Sequence, residues 1–237
     1  HTDIRLETLD LSYNFKLNDE CCDALSKIYV QKIDMSGTQI TSTGTHNILQ
    51  NSRLLHLVLR QNPTIKDLNG IYFYKNTQLV SLDLASCELS DKDVLAILDC
   101  KSLRFLCLDN NCSSQTKEVL RALGQSDITH LSLAFNELID GDTLALRNCR
   151  QTRLDMTNNC LSMKGAALLL ESNYIKKLIL KPGNPELSQE NIKCIKMLCD
   201  DNLFISNSGS TNSWYSWWKC PELDSTRSNT YQMINTK

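Results

Sequence analysis

The chain has 237 residues, of which 41% are hydrophobic and 22% charged, with a formal net charge of −2. So even a balance implies no global attraction to nucleic acid or to an anionic membrane. No apolar run approaches the ~18 residues of a transmembrane helix, so no integral membrane segment is expected. The chain opens at His1 with no secretory-type segment, and it is expected to be a trimmed or mature form.

From Leu6 onward one unit recurs. Its cleanest copy is Ile128-Thr129-His130-Leu131-Ser132-Leu133-Ala134-Phe135-Asn136-Glu137-Leu138, which reads L-x-x-L-x-L-x-x-N-x-L. Units start at Leu6, Val30, Leu54, Leu79, Leu103, Ile128, Gln151 and Ile175, in steps of 23 to 25 residues. The second apolar column is Leu9, Ile33, Leu57, Leu82, Leu106, Leu131, Leu154 and Leu178. The third is Leu11, Met35, Leu59, Leu84, Leu108, Leu133, Met156 and Leu180. All sixteen are apolar, a match expected by chance on the order of once in a million before register choice. Gln151 is the lapse in the first column, and the stack is expected to be least regular there.

Alternation at the second and third columns predicts a short strand with one face inward. Equivalent strands then pair in parallel and stack the leucines into one core. The polar column Asn14, Thr38, Asn62, Cys87, Asn111, Asn136, Asn159 and Gly183 follows each strand. An inward amide there satisfies backbone groups freed by the bend. Units one and three carry an extra residue after the asparagine (Asn14-Phe15-Lys16-Leu17 and Asn62-Pro63-Thr64-Ile65), which predicts bulged turns.

The return half of each unit reads as helix. Leu89-Ser90, Leu161-Ser162 and Leu187-Ser188 each place a serine N-cap after the turn leucine, and Ser90 with Asp93 resembles a capping box. Gly124 is a candidate helix stop. The sixth unit, opening Asp140-Gly141-Asp142, predicts the poorest helix, and the second, with Thr41 to Gly44, a weak one.

Repeat length and strand–helix alternation resemble the ribonuclease-inhibitor-like class of leucine-rich repeats, over about Leu6 to Cys199. The resemblance implies an α/β solenoid, or horseshoe, of about eight repeats, with a concave parallel sheet and convex helices. Relatives of this kind are mostly non-catalytic scaffolds that bind proteins in the cytoplasm or nucleus, bacterial effectors delivered into host cells among them. Residues 1–200 are thus read as the solenoid and 201–237 as a cap or tail. That tail holds Trp214-Tyr215-Ser216-Trp217-Trp218 after a polar, turn-rich stretch beginning at Ile205. Two roles stay open for Trp214 and Trp217: covering the last apolar rung, or anchoring to a partner.

The eleven cysteines show no C-x-x-C and no zinc-finger spacing, and several recur at equivalent repeat positions. They read as small buried residues in a reducing compartment, with an intracellular location expected. The match Asn111-Cys112-Ser113 is not expected to be glycosylated, because Asn111 holds the buried motif position.

Outward positions of the strands form the candidate binding face. Its centre row is Asp10, Asp34, Val58, Asp83, Cys107, Ser132, Asp155 and Ile179. One flank is Thr8, Lys32, His56, Ser81, Phe105, His130, Arg153 and Lys177, and the other includes Arg60, Asp109 and Lys181. Exposed aromatics flanked by charge mark an interface centre. The expected contacts to a protein partner are therefore His56, Arg60, Phe105, Asp109, His130, Phe135 and Arg153. The lysines near the end (Lys176, Lys177, Lys181) read as a solvated face. Cys107, His130 and Asp83 on neighbouring strands raise a cysteine-hydrolase alternative, with no oxyanion donors aimed at them. No phosphate loop, dinucleotide fingerprint or metal-ligand spacing is present, so no cofactor, metal or nucleic acid is expected, and the protein is read as a monomer.

Overall fold

The computed structural model describes residues 5–68, 73, 78–111, 116–180, 183–198 and 204–206. All of them lie in the first of the two units into which the chain divides, His1–Asn207.

Among the described residues nine strands form one parallel sheet in sequence order. They are β1 (Arg5–Asp10), β2 (Tyr29–Asp34), β3 (His56–Val58), β4 (Ser81–Asp83), β5 (Phe105–Cys107), β6 (His130–Ser132), β7 (Arg153–Asp155), β8 (Lys177–Ile179) and β9 (Phe204–Ser206). The register is the one the repeat dictates, with Leu57, Leu82, Leu106, Leu131, Leu154 and Leu178 opposite one another. From the second unit on, both leucine columns are fully buried. Burial of each such side chain contributes about 1.5–3 kcal/mol, so the column is the main stabilising element. Helices return the chain: α1 (Glu20–Lys27), α2 (Ser42–Ile48), α3 (Asp91–Ile97), α4 (Lys117–Gln125), α5 (Asp140–Thr143), α6 (Met163–Leu170) and α7 (Gln189–Leu198).

The asparagines staple each coil to the one before it. The Asn62 amide donates to Met35 O in the preceding coil and Leu59 O in its own, while its oxygen accepts from Thr38 N. Asn111 reaches Leu84 O, Asn136 reaches Leu108 O, and Asn159 reaches Leu133 O in the same way. Cys87 stands in for asparagine by directing its thiol at Leu59 O, 3.1 Å away, and burial pushes that thiol up to about 12. Asn111 is 2% exposed and so is closed to glycosylation.

The last place on the ladder belongs to Asn184, not to Gly183. Asn184 donates to Met156 O and accepts from Leu161 N, and Gly183, at φ +89°, is the residue that turns the chain just before it. Leu187 N bonds to Asn184 O, as Leu17 N does to Asn14 O and Ile65 N to Asn62 O. The bulged turns expected in units one and three are thus present, and unit eight has a third.

The position before the ladder residue is left-handed throughout: Tyr13, Gly37, Gln61, Ser86, Asn110, Phe135, Asn158 and Gly183 all have φ between 50° and 89°. The amides of Tyr13, Gly37, Gln61, Ser86, Asn110 and Phe135 carry the inter-coil ladder past the strand ends, for example Ser86 N to Asp109 O and Phe135 N to Thr157 O.

Ser90 and Ser162 cap α3 and α6, Ser90 with the full capping box, and Ser188 accepts from Asn191 N at the start of α7. Among the described residues unit six has the shortest α-helix, four residues continued by a 3-10 turn at Leu144–Leu146, as expected. Four expectations are corrected. α2 is as long as α3, because Thr41 caps it and Asp19 of the previous coil holds Thr41. Gly124 does not stop α4; it lies inside the helix, where a Cβ would press on Cys149 and Leu146 at 3.4 Å. Gln151 causes no break, since its buried amide donates to Leu123 O and Ile128 O and the β6–β7 register is intact. The sheet also runs past residue 200, as Ile205 and Ser206 belong to β9 and not to a linker.

Candidate functional site

The outward face of the sheet is where repeat geometry leaves side chains unused by the core. The register places Lys32, His56, Ser81, Phe105, His130, Arg153 and Lys177 in one row across β2 to β8. Strands ~4.8 Å apart make this row about 30 Å long.

The centre row is not an acidic surface. Each strand-end aspartate turns back to bind the amide two residues on. Asp10 takes Ser12 N, Asp34 takes Ser36 N, Asp83 takes Ala85 N and Asp155 takes Thr157 N. In unit five, where Cys107 holds the centre position, Asp109 does this for its neighbour, accepting from Ser132 Oγ at 2.5 Å and Ala134 N at 3.0 Å. The carboxylates close turns, and Asp34, Asp83 and Asp155 are 6% exposed or less.

Arg60 ties the middle of the face together. Its Nε lies 3.2 Å from Asp83 Oδ2, and its Nη2 3.9 Å from Asp109 Oδ2. Burial pushes the Asp83 carboxyl up to about 7, against the opposing pull of Arg60 and Ala85 N–H. Asp155 is pushed up to about 6 by burial and by the like charge of Asp109. Asp109 is raised by burial too, against the hydrogen bond from Ser132. Arg60 and Asp109 are therefore a built network in addition to any contact they offer a partner.

Phe105 departs from the expectation of an exposed aromatic. It is 6% exposed, because His130 on the next strand covers it, with ring centroids 4.4 Å apart and planes 33° apart. His130 also meets Thr129 Oγ1 through Nδ1 at 3.0 Å. His56, His130 and Arg153 are half-buried in the same row. Phe135, three residues past the β6 end, is 52% exposed. Lys176 is exposed and Lys177 half-buried. Lys181, Trp214 and Trp217 lie outside the described residues.

Cys107 is fully buried, its thiol lies with Asp83 and Asp109, and burial and both carboxylates push it well up. Such a thiol stays protonated and is a poor nucleophile. The structure also shows an aromatic pair that the expected partner contacts leave out: Tyr13 and Phe15, 55% and 65% exposed, meet edge to face at 6.5 Å. The bulged turn after Asn14 was the available signal, since it leaves Phe15 outside both leucine columns. Cys160 and Cys194 are exposed, while Cys22, Cys87, Cys100, Cys107 and Cys149 are buried.

A family model described as leucine-rich repeat matches residues 75–98, one full repeat period. The same period is built eight times along the sheet. The chain is a leucine-rich repeat protein. Leucine-rich repeat folds generally serve as protein-interaction scaffolds. A comparison with curated proteins finds no match to this leucine-rich repeat chain. Among solved structures it is similar to an internalin from Listeria monocytogenes, at 14% identity and a TM-score of 0.41. That match covers 79% of this chain and 62% of the internalin, so the chain spans less than two thirds of that protein's length.

Proposed function

We propose that the outward sheet face binds a protein partner, with Phe135 as its anchor and His56, Arg60, His130 and Arg153 around it. The observation that carries this is Phe135 itself. The left-handed turn at this position is common to every coil, but only here does it hold a phenylalanine, 52% exposed, whose ring leaves apolar surface in solvent that the core does not use. An aromatic that meets a partner recovers that cost. Phe105 supports the His130 ring from below and Asp109 fixes Arg60, so both serve the face indirectly. The role is non-catalytic: Cys107, the thiol that the described residues place beside a carboxylate and an imidazole strand, is fully buried, and burial holds it protonated. An intracellular home belongs to the same reading and draws support from the five buried thiols. The test is affinity capture from a candidate lysate by the full chain and by Phe135→Ala. The reading requires a retained protein that the variant loses at least ~10-fold; equal retention by both overturns it.

A further inference from the structure

The chain enters each strand through four residues, the one before the repeat start and the first three of the repeat. Over eight coils these positions hold five arginines (Arg5, Arg53, Arg104, Arg150 and Arg153) and three lysines, against the two acids Glu7 and Asp127. They take eight of the chain's 25 Lys and Arg but two of its 27 Asp and Glu, so this one edge is basic in a chain of net charge −2. All eight cations are exposed or half-buried. The acids of the centre row do not offset them, since Asp34, Asp83 and Asp155 are buried and closed on their own turns. Among the described residues no carboxylate lies within ion-pair distance of Arg5, Arg53, Arg104, Arg150 or Lys176; the pairs are those of Lys27, Arg60, Lys66 and Arg147.

Two of the arginines are held in place by a ring. Arg5 of coil one and Arg53 of coil three come over Tyr29 of coil two, each 5.3 Å from the ring centroid. Coils one and three flank coil two in the sheet, so the tyrosine sets two guanidiniums two strand spacings apart, about 9.5 Å. Arg104 follows in coil five, and Arg150 and Arg153 in coil seven, so the arginines keep to alternate coils. An extended peptide rises about 3.3 Å per residue, and its positions i and i+3 match that pitch. The guanidinium fork fits a carboxylate through two parallel N–H bonds.

We propose that the strand-entry edge receives an extended acidic segment of a protein partner, laid across the coils with its carboxylates about three residues apart. This rests on the reading that the outward face binds a protein, and His56, His130 and Arg153 belong to both. The chain's own Ser208–Lys237 is not that segment, because it carries Glu222 and Asp224 against Lys219, Arg227 and Lys237. A nucleic-acid strand fits less well. Single strands bind by stacking bases on open aromatic faces, whereas Tyr29 is flanked by guanidiniums and Phe105 lies under His130.

The test uses the full chain and a dye-labelled peptide, Glu-Ser-Ser repeated along its length, read by fluorescence anisotropy at low salt. The peptide is expected to bind at least ~10-fold tighter than its Gln-Ser-Ser counterpart and to weaken as salt rises. Arg53→Gln, Arg104→Gln and Arg150→Gln together should weaken it at least ~10-fold. Lys92→Gln, Lys117→Gln and Arg121→Gln together take the same charge from α3 and α4 and should weaken it less than ~2-fold. Asp127→Asn, which removes an acid from the edge, should tighten it about 2-fold. No binding of the peptide, equal loss in the two triple variants, or tighter binding of an oligothymidylate of equal charge overturns the proposal. Self-association of the chain alone that the edge variant abolishes would assign the edge to a second copy and also overturn it. In the capture assay, a partner lost with Phe135→Ala but kept by the edge variant overturns the acidic segment and leaves the face reading standing. A partner lost with the edge variant but kept by Phe135→Ala supports the segment and removes Phe135 as the anchor.

Discussion

The Asp140 carboxylate of coil six fills the space a side chain at Gly165 of coil seven would need. It accepts from Ser162 N at 2.9 Å and from Ser162 Oγ, and the Gly165 amide adds a third donor. A Cβ built on Gly165 would meet Asp140 Oδ1 well under 3.0 Å. The first turn of α6 is thus capped by an acid from the previous coil, and the glycine is what admits it. Asp19 and Gly44 repeat the arrangement at α2, through Thr41. Gly165→Ala is expected to cost about 1–3 kcal/mol in urea unfolding. Asp140→Ala should cost about 1–2 kcal/mol, and the double variant clearly less than the sum. Additive losses would mean that the two residues do not share the space.

Stability should fall as pH rises through neutrality. Asp83 and Asp155 are pushed up to about 7 and about 6, well above the unfolded carboxylate near 3.8. The folded chain therefore holds protons that the unfolded chain releases between about pH 4 and 7, and this stabilisation is complete below pH 4 and lost as pH climbs through 6 and 7. Asp10, held low by its hydrogen bonds from Ser12, works the other way and costs stability only as pH drops through its own lowered range. Unfolding free energy is expected to drop by on the order of 1 kcal/mol or more from pH 5 to pH 8. Asp83→Asn should flatten that slope. A slope unchanged in the variant would remove Asp83 as its source.

The ladder makes a prediction graded by position. Asn159 makes five bonds: it accepts from Asn136 N and Leu138 N and donates to Leu133 O, Met156 O and Thr157 O. Asn159→Ala takes these partners from Asn136 N, Leu138 N and Leu133 O in the interior, while Thr157 O keeps Phe135 N and Met156 O keeps the Asn184 amide, and it is expected to cost about 3 kcal/mol or more. Asn184→Ala, with Leu161 N, Met156 O and Leu180 O, should cost about 2–3 kcal/mol. Ordering the variants by chemical denaturation checks this; a larger loss at exposed Asn14 than at Asn159 would contradict it.

What was legible in the sequence follows from period. Both leucine columns, the parallel register and most of the caps can be read from spacing, because the core and the helix starts recur every coil. The slip at Gly183 came from an insertion: the ladder residue normally lies three positions after the third leucine, but Leu180 to Asn184 is four. Asn184-Pro185-Glu186-Leu187 against Asn62-Pro63-Thr64-Ile65 was the available clue. Gln151 and Phe105 were misread for another reason. Spacing reports which face a residue is on, not what its neighbours supply, and neighbouring carbonyls can take both N–H groups of a buried amide as a neighbouring ring can bury an outward aromatic. The aspartates of the centre row belong to the same class, since Asp-x-Ser and Asp-x-Thr can read as surface charge or as a turn closed on itself.

Phe105 and Phe135 should separate stability from recognition. Phe105 is buried under His130, so Phe105→Ala removes a packed ring and is expected to cost about 3 kcal/mol or more. Phe135 touches the core little and holds a left-handed backbone at φ 59°. Phe135→Gly frees that backbone and is expected to stabilise the fold by up to about 1 kcal/mol, despite removing an aromatic. The same variant should weaken capture of the partner at least ~10-fold, as loss of an anchor does. Calorimetry and the capture assay on one set of proteins decide it. A Phe135→Gly chain that unfolds earlier would show that the ring serves packing, and the exposed aromatic would lose its claim to be the anchor of the face.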